Sequence, residues 1–201
     1  MLRAGLWTLT ALVLFALIFA FLPSGNQAGA GTGAKLSGVA LSLYPARDEG
    51  AVWRFRAANV SSDPVAGETR LSGLSDGKRL LREKNKAGIY TGRETLDATL
   101  TAPSLTIDSQ DNMTTQKARI TLVAECADID LTGNAQPVKI EQGYGFTAPL
   151  AVIDSPDVTG RVAKIRMSFQ FVVEDSDNDN STYSASLDPT ETCRDGKRVP
   201  L

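Results

Sequence analysis

Apolar and polar residues alternate with a period of two through most of the chain beyond its first two dozen positions. In TLDATLTA, Leu96, Ala98, Leu100 and Ala102 fall on one side, with Thr95, Asp97, Thr99 and Thr101 opposite. Ile120, Leu122, Ala124 and Cys126 form a second row, and Val138 and Ile140 a third. KIRMSFQFVVE gives the longest row, Ile165, Met167, Phe169, Phe171 and Val173, while AVWRFRAANV aligns Trp53, Phe55 and Ala57. Rows of this kind predict strands with one buried and one wet face. The phase changes between Glu125 and Asp128, because Ile129 and Leu131 continue on odd numbers, and this predicts a bulge or tight turn. Asp76-Gly77, Gly133-Asn134, Gly143-Tyr144-Gly145, Ser155-Pro156-Asp157 and Asp188-Pro189 punctuate the rows as turn signals. No 3.6-residue period is sustained after residue 23. The pattern predicts an all-β domain of short antiparallel strands.

One passage occurs twice. TAPSLTIDS at 101–109 is answered by TAPLAVIDS at 147–155, and ARITL at 118–122 by AKIRM at 163–167. Each copy reads as two strands with their connection, and repetition of such a unit predicts stacked β elements that cover one another's apolar faces.

The N-terminus changes the picture. Residues 4–22 carry no charge, follow Arg3 and end at Pro23. As a helix this stretch spans about 28 Å, close to the hydrocarbon thickness of a bilayer. It predicts a single membrane anchor over 1–23, with Arg3 keeping the N-terminus cytoplasmic. A cleaved signal peptide ending at Ala28-Gly29-Ala30 is the alternative, and both readings make an exported protein. SGNQAGAGTGA at 24–34 reads as a flexible tether, and 35–201 as one domain. In an oxidising compartment Cys126 and Cys193 can pair; the alternative is two free thiols.

Composition removes several chemistries. The chain has no histidine, so Ser-His-Asp and Cys-His catalysis and the commonest metal ligand are unavailable. Its net charge of −2 gives no reason to expect nucleic acid. Gly73-x-Ser75-x-Gly77 fits the nucleophile elbow only formally, lacking a strand-to-helix context; Asp76-Gly77 reads as a hairpin turn. EDSDNDNS at 174–181 begins like a calcium loop but has Asn180 for the sixth-position glycine and Ser186 for the twelfth-position glutamate, so it reads as a solvated loop. KRLLREKNK at 78–86 reads as a solvated basic strand end. No catalytic constellation, metal site or cofactor is expected.

The stretch ARITLVAECADIDLTGNAQPVKIEQGYGFTAPLAVID resembles the repeat of the OstA/LptA/LptC-like periplasmic lipopolysaccharide-transport proteins. The resemblance lies in Leu131, Gly133-Asn134, Val138, Gln142-Gly143, Thr147-Ala148 and Ile153-Asp154, while Ala135-Gln136-Pro137 interrupts the family pattern. A single anchor before one β domain looks most like the LptC branch. The resemblance implies a twisted antiparallel β-jellyroll in the periplasm, held at the inner membrane. Lipopolysaccharide or a related envelope lipid lies between its sheets, and its open edges meet an inner-membrane lipid exporter and a homologous periplasmic jellyroll. On this reading Ile120, Leu122, Val138, Ile140, Met167, Phe169 and Phe171 line a lipid groove. An adaptor that binds other envelope proteins without lipid, and a carbohydrate-binding sandwich, are the rivals; aromatic residues, at 6%, are sparse for the latter.

Overall fold

The computed structural model describes residues 34–186 and 189–201. The expected anchor over 1–23, nearly all of the tether and Asp188 lie outside the described residues. Within them the protein is all-β and antiparallel, and no helix occurs.

Fourteen strands are formed among the described residues. The first four are β1 (Lys35–Leu43), β2 (Ala51–Asp63), β3 (Glu68–Lys84) and β4 (Tyr90–Thr101). Four short ones follow: β5 (Ser104–Ile107), β6 (Met113–Thr115), β7 (Lys117–Leu122) and β8 (Ala127–Thr132). Then come β9 (Val138–Glu141), β10 (Gly145–Asp154), β11 (Val158–Ser168) and β12 (Val173–Ala185). A separate hairpin, β13 (Glu191–Arg194) with β14 (Lys197–Pro200), ends the chain.

The pairing is simpler than the strand count. β3 pairs with β4 along one half and β5 along the other, and β10 pairs likewise with β8 and β9. In the same way β4 meets β7 while β5 meets β6, and β7 meets β8 while β6 meets β9. Thus β4–β5, β6–β7 and β8–β9 each act as one long strand broken in the middle, and the large sheet is a meander in chain order. The breaks fall at Ala102-Pro103, Gln116 and residues 133–137. Around them eight strands close a barrel-like circuit, β3-β4-β7-β8-β10-β9-β6-β5 and back to β3.

The breaks belong to a crease that also crosses the unbroken strands. Buried residues two apart shift to three apart there: Ala57 to Val60, Leu71 to Leu74, Ala102 to Leu105, Ala148 to Ala151 and Val162 to Ile165. A shift of one residue flips the inward face, so each strand turns its other side inward after the bend. Gly38 and Gly73 lie on either side of Ala58 in the register, with φ of 63° and 62°. Gly73 is required on a second count: a Cβ there would stand 2.8 Å from Cβ of Ala58. Both copies of Thr-Ala-Pro sit on the crease, Pro103 between β4 and β5 and Pro149 where β10 passes from β9 to β8. The repeated passages are two long hairpins, β4–β5 with β6–β7 and β10 with β11.

Folding over the crease gives both halves one shared apolar core, from Trp53 and Leu71 through Ile120 and Ile140 to Met167. β13–β14 is bonded to it through the disulfide Cys126–Cys193, with a Cα separation of 5.5 Å. Arg198 of that hairpin donates to the Cys126 carbonyl at 3.1 Å and pairs with Asp154 at 3.0 Å.

Three local expectations are corrected. Asp76-Gly77 is no hairpin turn but a bulge inside β3: Arg54 faces Lys78 and Arg56 faces Ser75, so an extra residue is accommodated with Asp76 at a φ of 56°. The same tolerance of positive φ that suits Asp-Gly to a turn suits it to a bulge. Residues 174–181 are no loop; they lie in β12, where Lys164 supplies a counter-ion to Asp177 at 2.7 Å. The row Ile165 to Val173 does not stay on one strand. β11 ends at Ser168, and residues 169–172 turn with Phe171 at a φ of 59°.

Candidate functional site

The barrel-like core bends at the crease and ends on the opposite side among hairpin turns, here its mouth. The β1–β2 loop, residues 44–50, crosses that mouth. On one side Arg79 of β3 holds it through Asp48 at 2.6 Å, and Tyr90 donates to the Glu49 carbonyl at 2.6 Å. On the other side Ala46 N–H donates to Asp111 at 3.2 Å, and Arg47 to Gln110 at 3.1 Å.

Beneath the loop the aromatic end of the core is assembled from both halves of the sheet. Trp53 stacks on Phe55 with centroids 5.7 Å apart and meets Phe169 at 6.0 Å, and Phe169 meets Phe146 edge-on at 6.1 Å. Trp53 Nε1–H donates to Oε1 of Gln142 at 3.0 Å. The Arg79 guanidinium lies 4.3 Å above the Phe169 ring and also pairs with Asp97. Among the described residues Arg79 is the one buried charged side chain, 4% exposed. Three buried donors around this loop make no hydrogen bond among the described residues: Nε of Arg79, Nε of Arg82 and Nε2 of Gln142. A buried polar group left unpaired costs about 1–3 kcal/mol. The mouth is therefore the part of the core least satisfied by its own neighbours.

The residues expected to line a groove all reach this core. Ile120, Leu122, Val138, Ile140 and Met167 are fully buried, and Phe169 is 4% exposed. Phe171 is partly buried against them from the 169–172 turn. They fill the interior rather than line an open channel. Leu96 and Ala124 leave their rows: Leu96 is exposed beyond an irregularity at Asp97, and Ala124 is exposed in the β7–β8 turn.

Arg79, Asp48, Asp97 and Gln142 carry no signal in the alternation. Arg79 stands in a basic run that reads as solvated, and the bulge at Asp76-Gly77 turns it inward. An odd-numbered inward row after the bulge, Gly77 then Arg79, is the consequence of that one extra residue.

On β12, hydrogen bonds first from Lys164 and then from Asn180 hold the Asp177 carboxyl below the usual aspartate range. Desolvation raises the Tyr144 phenol, with its hydrogen bond to Glu174 adding to the effect. Burial likewise raises Glu125 beside the disulfide. Among the described residues no His, Cys, Asp and Glu group is arranged to hold a metal ion. No known protein family matches this chain, and no curated protein does.

Proposed function

We propose that this chain is a non-enzymatic cell-envelope protein that shelters lipopolysaccharide or a related amphipathic lipid. On this reading it is a single-pass inner-membrane protein whose domain faces the periplasm as a β-jellyroll. It passes lipid from an exporter to a similar jellyroll through contacts of its edge strands. The observation that carries the reading is the bent meander: one apolar interior shared by two half-sheets, ending at a polar mouth, with β1 and β12 left as edges. Such an interior rewards acyl chains by about 0.8 kcal/mol per buried CH₂, and an unpaired edge is a docking site for another strand. In the closed form side chains occupy the interior, so lipid entry requires the mouth to part.

The adaptor reading, docking through the same edges without lipid, is favoured by one observation: Met167 and Phe169 are closed off from solvent. Mass spectrometry of the full chain purified from its native membrane separates the two. A stoichiometric envelope lipid retained with the protein is the expected result; protein that is consistently lipid-free, with its edge partners bound, establishes the adaptor.

A further inference from the structure

Arg79 is enclosed by two carboxylates of different attachment. Asp97 belongs to β4 and is fixed by the sheet. Asp48 belongs to the loop across the mouth, whose far side is held by exposed polar contacts that contribute little individually. Two unpaired buried donors border the same aromatic cluster, Nε of Arg79 on the Phe169 side and Nε2 of Gln142 on the Trp53 side, the two rings lying 6.0 Å apart. A site with spare donors, a fixed cation and one removable carboxylate is matched to an acceptor-rich anion.

We propose that Arg79 and Gln142 form the binding site for the anionic headgroup of an amphiphile, and that Asp48 occupies it in the closed protein as an internal substitute. This inference rests on the lipid-sheltering reading. Displacement of Asp48 by a phosphate monoanion exchanges one negative charge beside Arg79 for another, with Asp97 still paired, and gives the spare N–H groups acceptors. Release of Asp48 removes the loop's one tie to the buried cation, leaving it held to β3 and β4 through Glu49 and Gly50, and the ligand's hydrocarbon tail follows the faces of Trp53 and Phe169 inward. Headgroup recognition and opening of the core are then the same event.

The test uses Trp53 emission in the full chain carrying Trp7→Phe, titrated with dodecyl phosphate and with neutral dodecyl maltoside below their micelle concentrations. Asp48→Asn is expected to tighten binding of dodecyl phosphate about tenfold, the scale of one charge-assisted hydrogen bond. Dodecyl maltoside gains less, since the loosened loop helps both amphiphiles and the uncovered cation only the phosphate. No gain for the phosphate, or an equal gain for both amphiphiles, overturns the proposal. If Asp48→Asn does not fold, the Trp7→Phe chain decides: it binds dodecyl phosphate in preference to dodecyl maltoside, and equal affinities overturn the site. Binding of both without charge preference removes only the headgroup site, whereas binding of neither removes the lipid-sheltering reading as well.

Discussion

The carboxylate of Asp48 meets the guanidinium of Arg79 at 2.6 Å, joining a surface loop to the one buried charge among the described residues. Both side chains are largely hidden, at 14% and 5% exposure. Arg79→Met leaves Asp48 and Asp97 without their cation, and removal of one partner from a buried pair costs about 3–5 kcal/mol. Urea unfolding is expected to show a loss of that size. The triple change Arg79→Met, Asp48→Asn, Asp97→Asn recovers most of it; a triple variant as unstable as the single one refutes the pairing as the cause.

The crease gives a second prediction. Gly73→Ala forces a side chain into a left-handed conformation and against Ala58, whose Cβ would lie 2.8 Å away. The expected loss is about 2 kcal/mol. Ala58→Gly in the same chain removes the contact but not the backbone strain, so it restores part of the loss. Complete recovery in the double variant shows that the contact alone matters.

The disulfide closes a separation of 67 residues, and the entropy of that loop corresponds to about 4 kcal/mol. Cys126→Ser with Cys193→Ser is expected to lower stability by about that amount and to release β13–β14. Limited trypsin digestion then cuts at Arg194 and Lys197 before the rest of the domain. A cleavage pattern identical to that of the oxidised protein contradicts the role assigned to the bond.

Asp177 and Lys164 tie β12 to β11 in a pH-dependent way. The Asp177 pKa is depressed in the folded protein, so its contribution is present above the ordinary aspartate value and disappears as pH falls through the folded one. The Lys164 pKa is raised by the same hydrogen bond, so that contribution disappears as pH rises through the folded lysine value. Protection of the β12 amides, taken relative to their intrinsic exchange rate at each pH, is expected to be greatest across the neutral range and lower at both extremes. Asp177→Asn removes the acid limb; an unchanged acid limb assigns it to another group.

The strands themselves were legible because their inward residues are apolar and their turns are marked. Trp53, Ile120, Ile140 and Met167 all sit where alternation puts them. The repeat was legible too, though its meaning was not: Thr-Ala-Pro marks two crossings of a bend, which a linear pattern records only as a skipped position. Asp76-Gly77 misleads because a bulge and a turn require the same left-handed backbone. β12 has no apolar row, since an exposed edge strand is held by hydrogen bonds to β11 rather than by burial. The mouth was hidden for a related reason. Arg79 is inward only through the bulge, and its partners come from positions as distant in sequence as Asp48 and Phe169.

Because the meander follows chain order, each strand finds its partner in the segment just made, and chain entropy is surrendered one hairpin at a time. Low sequence separation between contacting segments favours rapid folding. Contacts outside this order join the two half-sheets across the core: the 44–50 loop reaching Asp111, Trp53 reaching Gln142 and Phe169, Arg79 reaching Phe169, and Cys126 waiting for Cys193. A chain delivered from its N-terminus can therefore zip up progressively, while the aromatic end stays unfinished until Phe169 arrives. The disulfide closes after the sheet, since Cys193 follows every strand of that sheet in the chain.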